Sequence, residues 1–131
     1  MFNKKKQPPI RSLIAEGSEI AGNLSFSDGL RIDGTVVGNV SGRTDKASIL
    51  VISETASVTG EVLADHIIVN GTVTGPVHAR VMLELQPKAR IRGDVNYVAL
   101  EMHQGALIDG QLRPCLEGED KPTLKLAANN G

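Results

Sequence analysis

The sequence predicts an all-β protein of one domain, a parallel β-helix of about six coils between two disordered tails. Three observations predict this fold. A short pattern of apolar residue, spacer, glycine, spacer and apolar residue recurs along most of the 131 residues. Its apolar positions alternate with polar ones at a period of two, which is the period of an extended strand. Longer stretches overlay on one another without gaps, as expected of a repeat architecture.

The glycine-centred pattern marks the coils one by one. Each copy has the form of Ile20-Ala-Gly22-Asn-Leu24, and its central glycine stands at positions 22, 38, 60, 75, 93 and 110. The steps between these glycines are 16, 22, 15, 18 and 17 residues. Their mean of roughly 17.6 lies near the low end of the periods of stacked repeats. Six copies therefore predict six coils.

Longer overlays identify the strands within each coil. Residues 30–40 overlay on 67–77 at a constant offset of 37, and a second coil type, with alanine at the earlier small position, occupies 50–62, 83–95 and 100–112. Short runs of Val, Ile and Leu followed by glycine, Asn-Gly or Asp-Gly predict short strands that end in bends. The same dipeptides also favour β-hairpins. The strands of a meander or sandwich are usually longer, however, and would not overlay coil for coil.

Composition favours a narrow aliphatic interior. Aromatic residues make up 2% of the chain and tryptophan is absent, whereas 40% of the residues are hydrophobic. Stacked Val, Ile and Leu fill the interior of a β-helix, which leaves little room for rings. One domain accounts for the whole repeat region.

Two tails flank the predicted β-helix of residues 14–112. Residues 1–13 carry four basic and no acidic side chains together with a Pro-Pro pair, and residues 113–131 lack the repeat, so both are predicted to be disordered. The region 14–112 has seven basic and twelve acidic residues, which gives a net charge of −5. A negative surface repels nucleic acid, so we expect no nucleic-acid partner.

The glycine-centred coils of residues 14–112, together with the Met1-Phe2 opening and the basic run after it, resemble the bactofilins, a family of bacterial cytoskeletal proteins. The resemblance implies a right-handed β-helix that polymerises without nucleotide into non-polar filaments by end-to-end joining. It also implies attachment to the inner face of the cytoplasmic membrane and a role in organising cell-shape, polarity or cell-wall proteins. A scaffold of this kind needs neither a catalytic site nor a cofactor.

The ends of the predicted rod favour self-association on physical grounds as well. The last coil at each end has backbone groups and apolar side chains without a partner, and such edges pair unless a cap or a charge blocks them. No capping helix is evident at either end of the repeat region. The predicted polymer interface consists of Ile14, Ile20 and Leu24 in the first coil and Met102, Leu107, Ile108 and Leu112 in the last.

The N-terminal tail has the composition of a weak membrane anchor. Met1 and Phe2 are expected to insert at the lipid interface, while Lys4, Lys5 and Lys6 lie over anionic headgroups at ~1 kcal/mol per charge. Many copies along a filament would turn weak contacts into stable attachment. The alternative is a solvated arm whose lysines serve solubility.

The remaining motifs predict no further chemistry. His66, His78 and His103 lie in different coils without a cysteine or carboxylate group at ligand spacing, so we expect no metal site. Cys115 is alone, which is typical of a reducing cytosol. No stretch has the 18 or more apolar residues of a transmembrane helix. The chain is therefore expected in the cytoplasm, peripheral to the membrane.

Two other functions remain open at this point. Hexapeptide acyltransferases are also β-helices, but they keep a stricter six-residue period and use a histidine as general base, and neither feature recurs here. An adaptor that does not polymerise would differ from a filament because its size would saturate with concentration. A polar excursion at residues 41–48 is either a tolerated surface loop or a docking point for a partner such as a cell-wall enzyme.

Overall fold

The computed structural model describes residues 7–115, and over that range the chain forms fifteen strands and no helix. Every strand pair is parallel. The strands are β1 (Ile10–Ile14), β2 (Glu19–Ala21), β3 (Leu24–Phe26), β4 (Asp28–Ile32), β5 (Thr35–Val37), β6 (Val40–Gly42), β7 (Ser48–Ile52), β8 (Ser57–Thr59), β9 (Val62–Val69), β10 (Thr72–Thr74), β11 (Val77–Leu85), β12 (Arg90–Arg92), β13 (Val95–Met102), β14 (Leu107–Asp109) and β15 (Leu112–Pro114).

Each turn of the chain contributes three strand segments, and segments of the same kind stack into one face of a rod. Face A consists of β1, β4, β7 and the second halves of β9, β11 and β13. Face B consists of β2, β5, β8, β10, β12 and β14. Face C consists of β3, β6, the first halves of β9, β11 and β13, and β15. The molecule is a parallel β-solenoid of about six turns, which confirms the predicted fold class.

The pairing register reproduces the overlays found in the sequence. Leu30 pairs with Leu50, which pairs with Ile67, and the ladder continues through Leu83 to Leu100. The offset of 37 therefore spans two turns. Parallel in-register stacking places equivalent side chains above one another, so a pattern in the sequence becomes a column of aliphatic side chains in the interior.

The interior admits two rings: Tyr97, in register with buried Ala79, packs against the core in a half-buried position, and Phe26 is buried because the next turn leaves room for it. Phe26 is buried in the core cluster and pairs in register with Gly42. A Cβ atom added at Gly42 would lie 3.2 Å from the Phe26 ring. The expectation of an aliphatic interior with little room for rings therefore needs two exceptions, Phe26 and Tyr97, each of which stands in register with a small residue of the neighbouring turn, Gly42 and Ala79.

The glycines at the corner between faces B and C form a column of their own. Gly38, Gly60, Gly75 and Gly93 have φ angles of 152°, 147°, 143° and 151°, a backbone region that L side chains rarely adopt. A Cβ added at any of them would overlap the carbonyl oxygen of the glycine in the preceding turn. The repeated glycine of the sequence thus meets two requirements, the backbone angle and the close approach of successive turns.

The solenoid begins earlier than the sequence predicted. Strand β1 starts at Ile10, although residues up to 13 were assigned to the N-terminal tail, and it pairs with β4 from Ile10 to Ile14. The inward position Ser12, which stands in register with Leu30, is polar and hides the alternating pattern. At the other end β15 extends to Pro114, two residues beyond the predicted boundary at 112.

Candidate assembly interfaces

Three interior ladders run the length of the solenoid, and six of the seven predicted interface residues stand at their ends. Within the rod their members are at most 1% exposed, so each ladder ends where the stacking stops. The first runs Ile14, Ile32, Ile52, Val69, Leu85, Met102. The second runs Ile20, Val36, Val58, Val73, Ile91, Ile108. The third runs Leu24, Val40, Val62, Val77, Val95, Leu112.

The structure therefore brings the predicted residues together as two separate surfaces. We call the surface of Ile14, Ile20 and Leu24 the N-terminal tip, and the surface of Met102, Ile108 and Leu112 the C-terminal tip. Every strand within residues 7–115 belongs to one of the three faces, so none of these elements covers a tip. Both tips present the cross-section of the aliphatic core to their surroundings.

The two tips differ in how far their apolar side chains are exposed. Ile14, Ile20 and Leu24 are all half-buried at the N-terminal tip. At the C-terminal tip Met102 is 44% and Leu112 is 46% exposed. The C-terminal tip therefore gains more from being covered, because the free energy of burial follows the apolar area removed from water.

Leu107, the seventh predicted residue, lies beside the C-terminal tip rather than within it. It is 59% exposed and stands in register with Arg90, on the outward side of face B. Val98, which the sequence did not single out, is 41% exposed in the same last turn. Together they widen the apolar surface around the C-terminal tip.

The backbone at the C-terminal tip is partly blocked on face C. Pro114 pairs in register with Tyr97, and the next amide, of Cys115, donates to the Tyr97 carbonyl oxygen at 2.6 Å. Because successive residues of a strand direct their backbone groups to opposite sides, the backbone of Pro114 faces the open edge, where it has no N–H to donate. Proline at an edge strand discourages further pairing. Sheet continuation from this tip is thus easier on faces A and B.

A histidine and two carboxylates meet on the outward side of face A. The in-register pairing of β11 with β13 places Glu101 beside Glu84. The Nε2 atom of His103 lies 3.1 Å from Glu84 Oε2 and 3.3 Å from Glu101 Oε2. The sequence predicted no cysteine or carboxylate group at ligand spacing around any histidine, and that prediction was wrong for His103, because stacking of two turns brings Glu84 beside Glu101 and His103. Within residues 7–115 this is the one group of three such side chains with potential ligand atoms all within 4.8 Å of one another.

The polar excursion between β6 and β7 is tied to the rod. Asp65 accepts hydrogen bonds from the Ser48 amide at 3.1 Å and from Arg80 Nε at 2.7 Å. Arg80 also donates to the carbonyl oxygens of Gly42 at 3.2 Å and Arg43 at 3.3 Å. These bonds hold both ends of the excursion, so the structure explains its attachment without a partner.

Asp33 lies at a corner of face A, and its pKa is perturbed. Hydrogen bonding with Ser53 and with Arg31, whose Nε lies 2.8 Å away, holds the pKa of Asp33 below its ordinary value of 3.8. Ser53 belongs to the next turn. The carboxylate thus contributes to the contact between two turns.

The predicted membrane-binding residues Met1, Phe2, Lys4, Lys5 and Lys6 lie outside the described residues. The part of the chain that the structure describes holds no helix with the length and hydropathy needed to span a bilayer. Membrane contact through the N-terminal tail therefore stays a prediction.

Comparison with known proteins identifies one family. Residues 12–113 match the model of a family described as "Bactofilin: Polymer-forming cytoskeletal". Neither the search of curated proteins nor the search of solved structures finds a significant match. The matched range covers nearly the whole solenoid, including both tips.

Proposed function

Since the chain belongs to the bactofilin family of polymer-forming cytoskeletal proteins, we propose that it polymerises without nucleotide by stacking its tips end to end. The observation that carries this proposal is the termination of three aliphatic ladders at surfaces that no described element covers. Stacking of a second molecule on a tip continues each ladder and supplies partners to the open backbone edges. Both effects favour association.

The tips contribute free energy to end-to-end joining. Full burial of an exposed Leu, Ile or Met side chain contributes about 1.5–3 kcal/mol, and each tip presents three aliphatic side chains that are half-buried or partly exposed and so gain a part of that amount. Contact between two tips also provides hydrogen-bond partners for the backbone donors and acceptors of the terminal strands, which otherwise bond to water. Polarity of the filament follows from which tips meet, and we propose the non-polar arrangement that the family resemblance implies.

Substitution of a tip residue tests the proposal. Leu112→Arg places a charge in the C-terminal tip, where its burial without a partner is costly, and is expected to shorten or abolish filaments seen by negative-stain microscopy without added nucleotide. Val37→Arg is the matched control, because Val37 is 47% exposed, like Leu112 at 46%, but points outward from face B one turn inside the N-terminal tip and ends no interior ladder. Equal loss of filaments in the two variants would contradict stacking through the tips.

We further propose that the N-terminal tail attaches the polymer to anionic lipid. Met1 and Phe2 provide apolar contact and Lys4, Lys5 and Lys6 provide charge, and a polymer repeats these weak anchors many times. Deletion of residues 1–6 is expected to release filaments from liposomes of anionic lipid while leaving them intact. Unchanged pelleting with liposomes would contradict tail attachment.

The proposed location is the cytoplasmic face of the inner membrane, where the polymer organises cell-wall enzymes or polarity proteins. The negative net charge of residues 14–112 disfavours a nucleic-acid partner, and contact with anionic lipid is left to the basic N-terminal tail. An adaptor that does not polymerise is the alternative. Its sedimentation coefficient would stop rising with concentration, whereas that of a filament continues to rise.

A further inference from the structure

We propose that strand β1 is a second lipid-contact element, which lies against an anionic membrane surface beside the N-terminal tail. This inference rests on the proposed attachment of the tail and adds to it a contact made by the solenoid itself. It thereby fixes which part of the rod faces the bilayer, namely the first turn of face A.

Strand β1 exposes apolar side chains to an unusual degree. Ile10 is 46% and Leu13 is 58% exposed. Leu13 is on the outward side of face A, because its neighbours Ser12 and Ile14 stand in register with the inward residues Leu30 and Ile32. Leu13 therefore contributes nothing to the core of the described solenoid, and a surface that covers it would gain the free energy of its burial.

The N-terminal tail must lie close to the same place. Lys6 is separated from Ile10 by four residue steps, and an extended chain spans at most about 3.6 Å per residue, so the two lie within about 14 Å. Pro8 and Pro9 lie between them and limit the freedom of the connection. A membrane that holds the three lysines of the tail is therefore within reach of β1.

The charges near β1 indicate an apolar rather than an electrostatic contribution. Arg11 Nε lies 3.2 Å from Asp28 Oδ2, and Arg31 Nε lies 2.8 Å from Asp33 Oδ1. These pairs neutralise the two arginines, and Glu16, which lines the same surface as Arg31 and Asp33, adds a negative charge, so this part of the solenoid does not itself attract anionic lipid. The lysines of the tail should thus provide the salt-sensitive part of lipid binding, and Ile10 and Leu13 the part that persists at high salt.

Hydroxyl substitutions at the two exposed positions test the inference in the full chain. The double variant Ile10→Thr, Leu13→Thr keeps β-forming residues in an edge strand, and Val37→Thr is the control on face B with a similar exposure of 47%. The probe is a vesicle of anionic and zwitterionic phospholipid, in low salt and at about 0.5 M salt. The double variant is expected to bind about tenfold more weakly at both salt concentrations, and the control as strongly as the wild type.

An environment-sensitive dye at position 13 provides a second readout. In a Cys115→Ser background, a dye on Leu13→Cys should shift to shorter emission wavelength when vesicles are added, whereas a dye on Val37→Cys should not. This measurement does not depend on the affinity of the double variant.

The outcomes separate this inference from the attachment on which it rests. If deletion of residues 1–6 abolishes binding while the double variant binds like the wild type and the dye does not shift, the inference fails and tail attachment stands. If the wild type does not bind vesicles at all, both fail. If the double variant changes sedimentation without lipid, a second copy of the chain covers β1, and the inference is likewise overturned.

Discussion

The glycine column at the corner between faces B and C provides a sharp prediction about stability. Gly60→Ala introduces a methyl group at φ 147°, where it overlaps the carbonyl oxygen of Gly38. Gly22→Ala is a matched control: its φ is 133°, but no atom lies within 4 Å of the added Cβ, because Gly22 belongs to the first turn. The two variants share the backbone strain, and only Gly60→Ala forces two turns apart.

The difference in free energy of unfolding follows from these contacts. The strained φ costs roughly 1–3 kcal/mol in either variant. Separation of the corner also weakens the hydrogen bonds from the Gly38 amide to Thr59 at 2.8 Å and from the Val40 amide to Glu61 at 2.9 Å, at about 0.5–1.5 kcal/mol each. Gly60→Ala should therefore lose about 2 kcal/mol more than Gly22→Ala from these bonds alone.

Chemical denaturation followed by far-ultraviolet circular dichroism measures this difference, at a concentration where sedimentation shows monomers so that assembly does not add to stability. Equal losses in the two variants would refute the argument that close stacking of turns requires the glycines. The control has a second use. A Cβ atom on Gly60 would point toward the preceding turn. The equivalent Cβ atom on Gly22 has no preceding turn to meet and points out of the N-terminal tip, so Gly22→Ala should impair filament formation more than it impairs folding.

Two further predictions concern contacts between turns. Arg80→Gln should lower the free energy of unfolding by about 1–3 kcal/mol and should speed tryptic cleavage in residues 43–47. Lys88→Gln removes a more exposed ion pair and should change neither the stability nor the cleavage rate. Equal cleavage rates in the two variants would contradict the role of Arg80. The lowered pKa of Asp33, caused first by Ser53 and then by Arg31, means that its stabilising effect is present above about pH 4 and is lost as the pH falls. The stability difference between wild type and Asp33→Asn should therefore shrink on acidification, and a gap that widens in acid would contradict this.

The sequence predicted the ladders because stacking in register copies one apolar pattern from turn to turn. For this reason the apolar residues at steps of two after Leu30 match those at steps of two after Ile67. The positions of the two tips are predicted as well, because they are the places where this repetition ends. The inward positions are therefore readable from a single chain. The predicted excursion at 41–48 is likewise a break in that repetition, and the structure confines it to residues 43–47, between β6 and β7.

Outward side chains were harder to predict because nothing requires them to repeat. Glu101 and His103 stand two residues apart on one side of the chain, but Glu84 joins them only when two particular turns are stacked. The sequence predicted Leu107 as part of the polymer interface, together with its neighbour Ile108. The outward direction of Leu107 was not predicted, because an apolar residue next to an inward one looks like a core residue in the sequence. Ser12 had the opposite effect, because a polar residue at an inward position hid the first strand.

The spacing along the filament axis tests the central claim most directly. Stacked strands lie about 4.8 Å apart, so six turns make a rod roughly 29 Å long. Image analysis of filaments in vitreous ice should show a 4.8 Å spacing along the axis and, because like tips meet in the proposed non-polar filament, an axial repeat of about 58 Å that holds two molecules. Filaments with the 4.8 Å spacing across the axis would mean that the rods associate side by side, and end-to-end stacking through the tips would be contradicted.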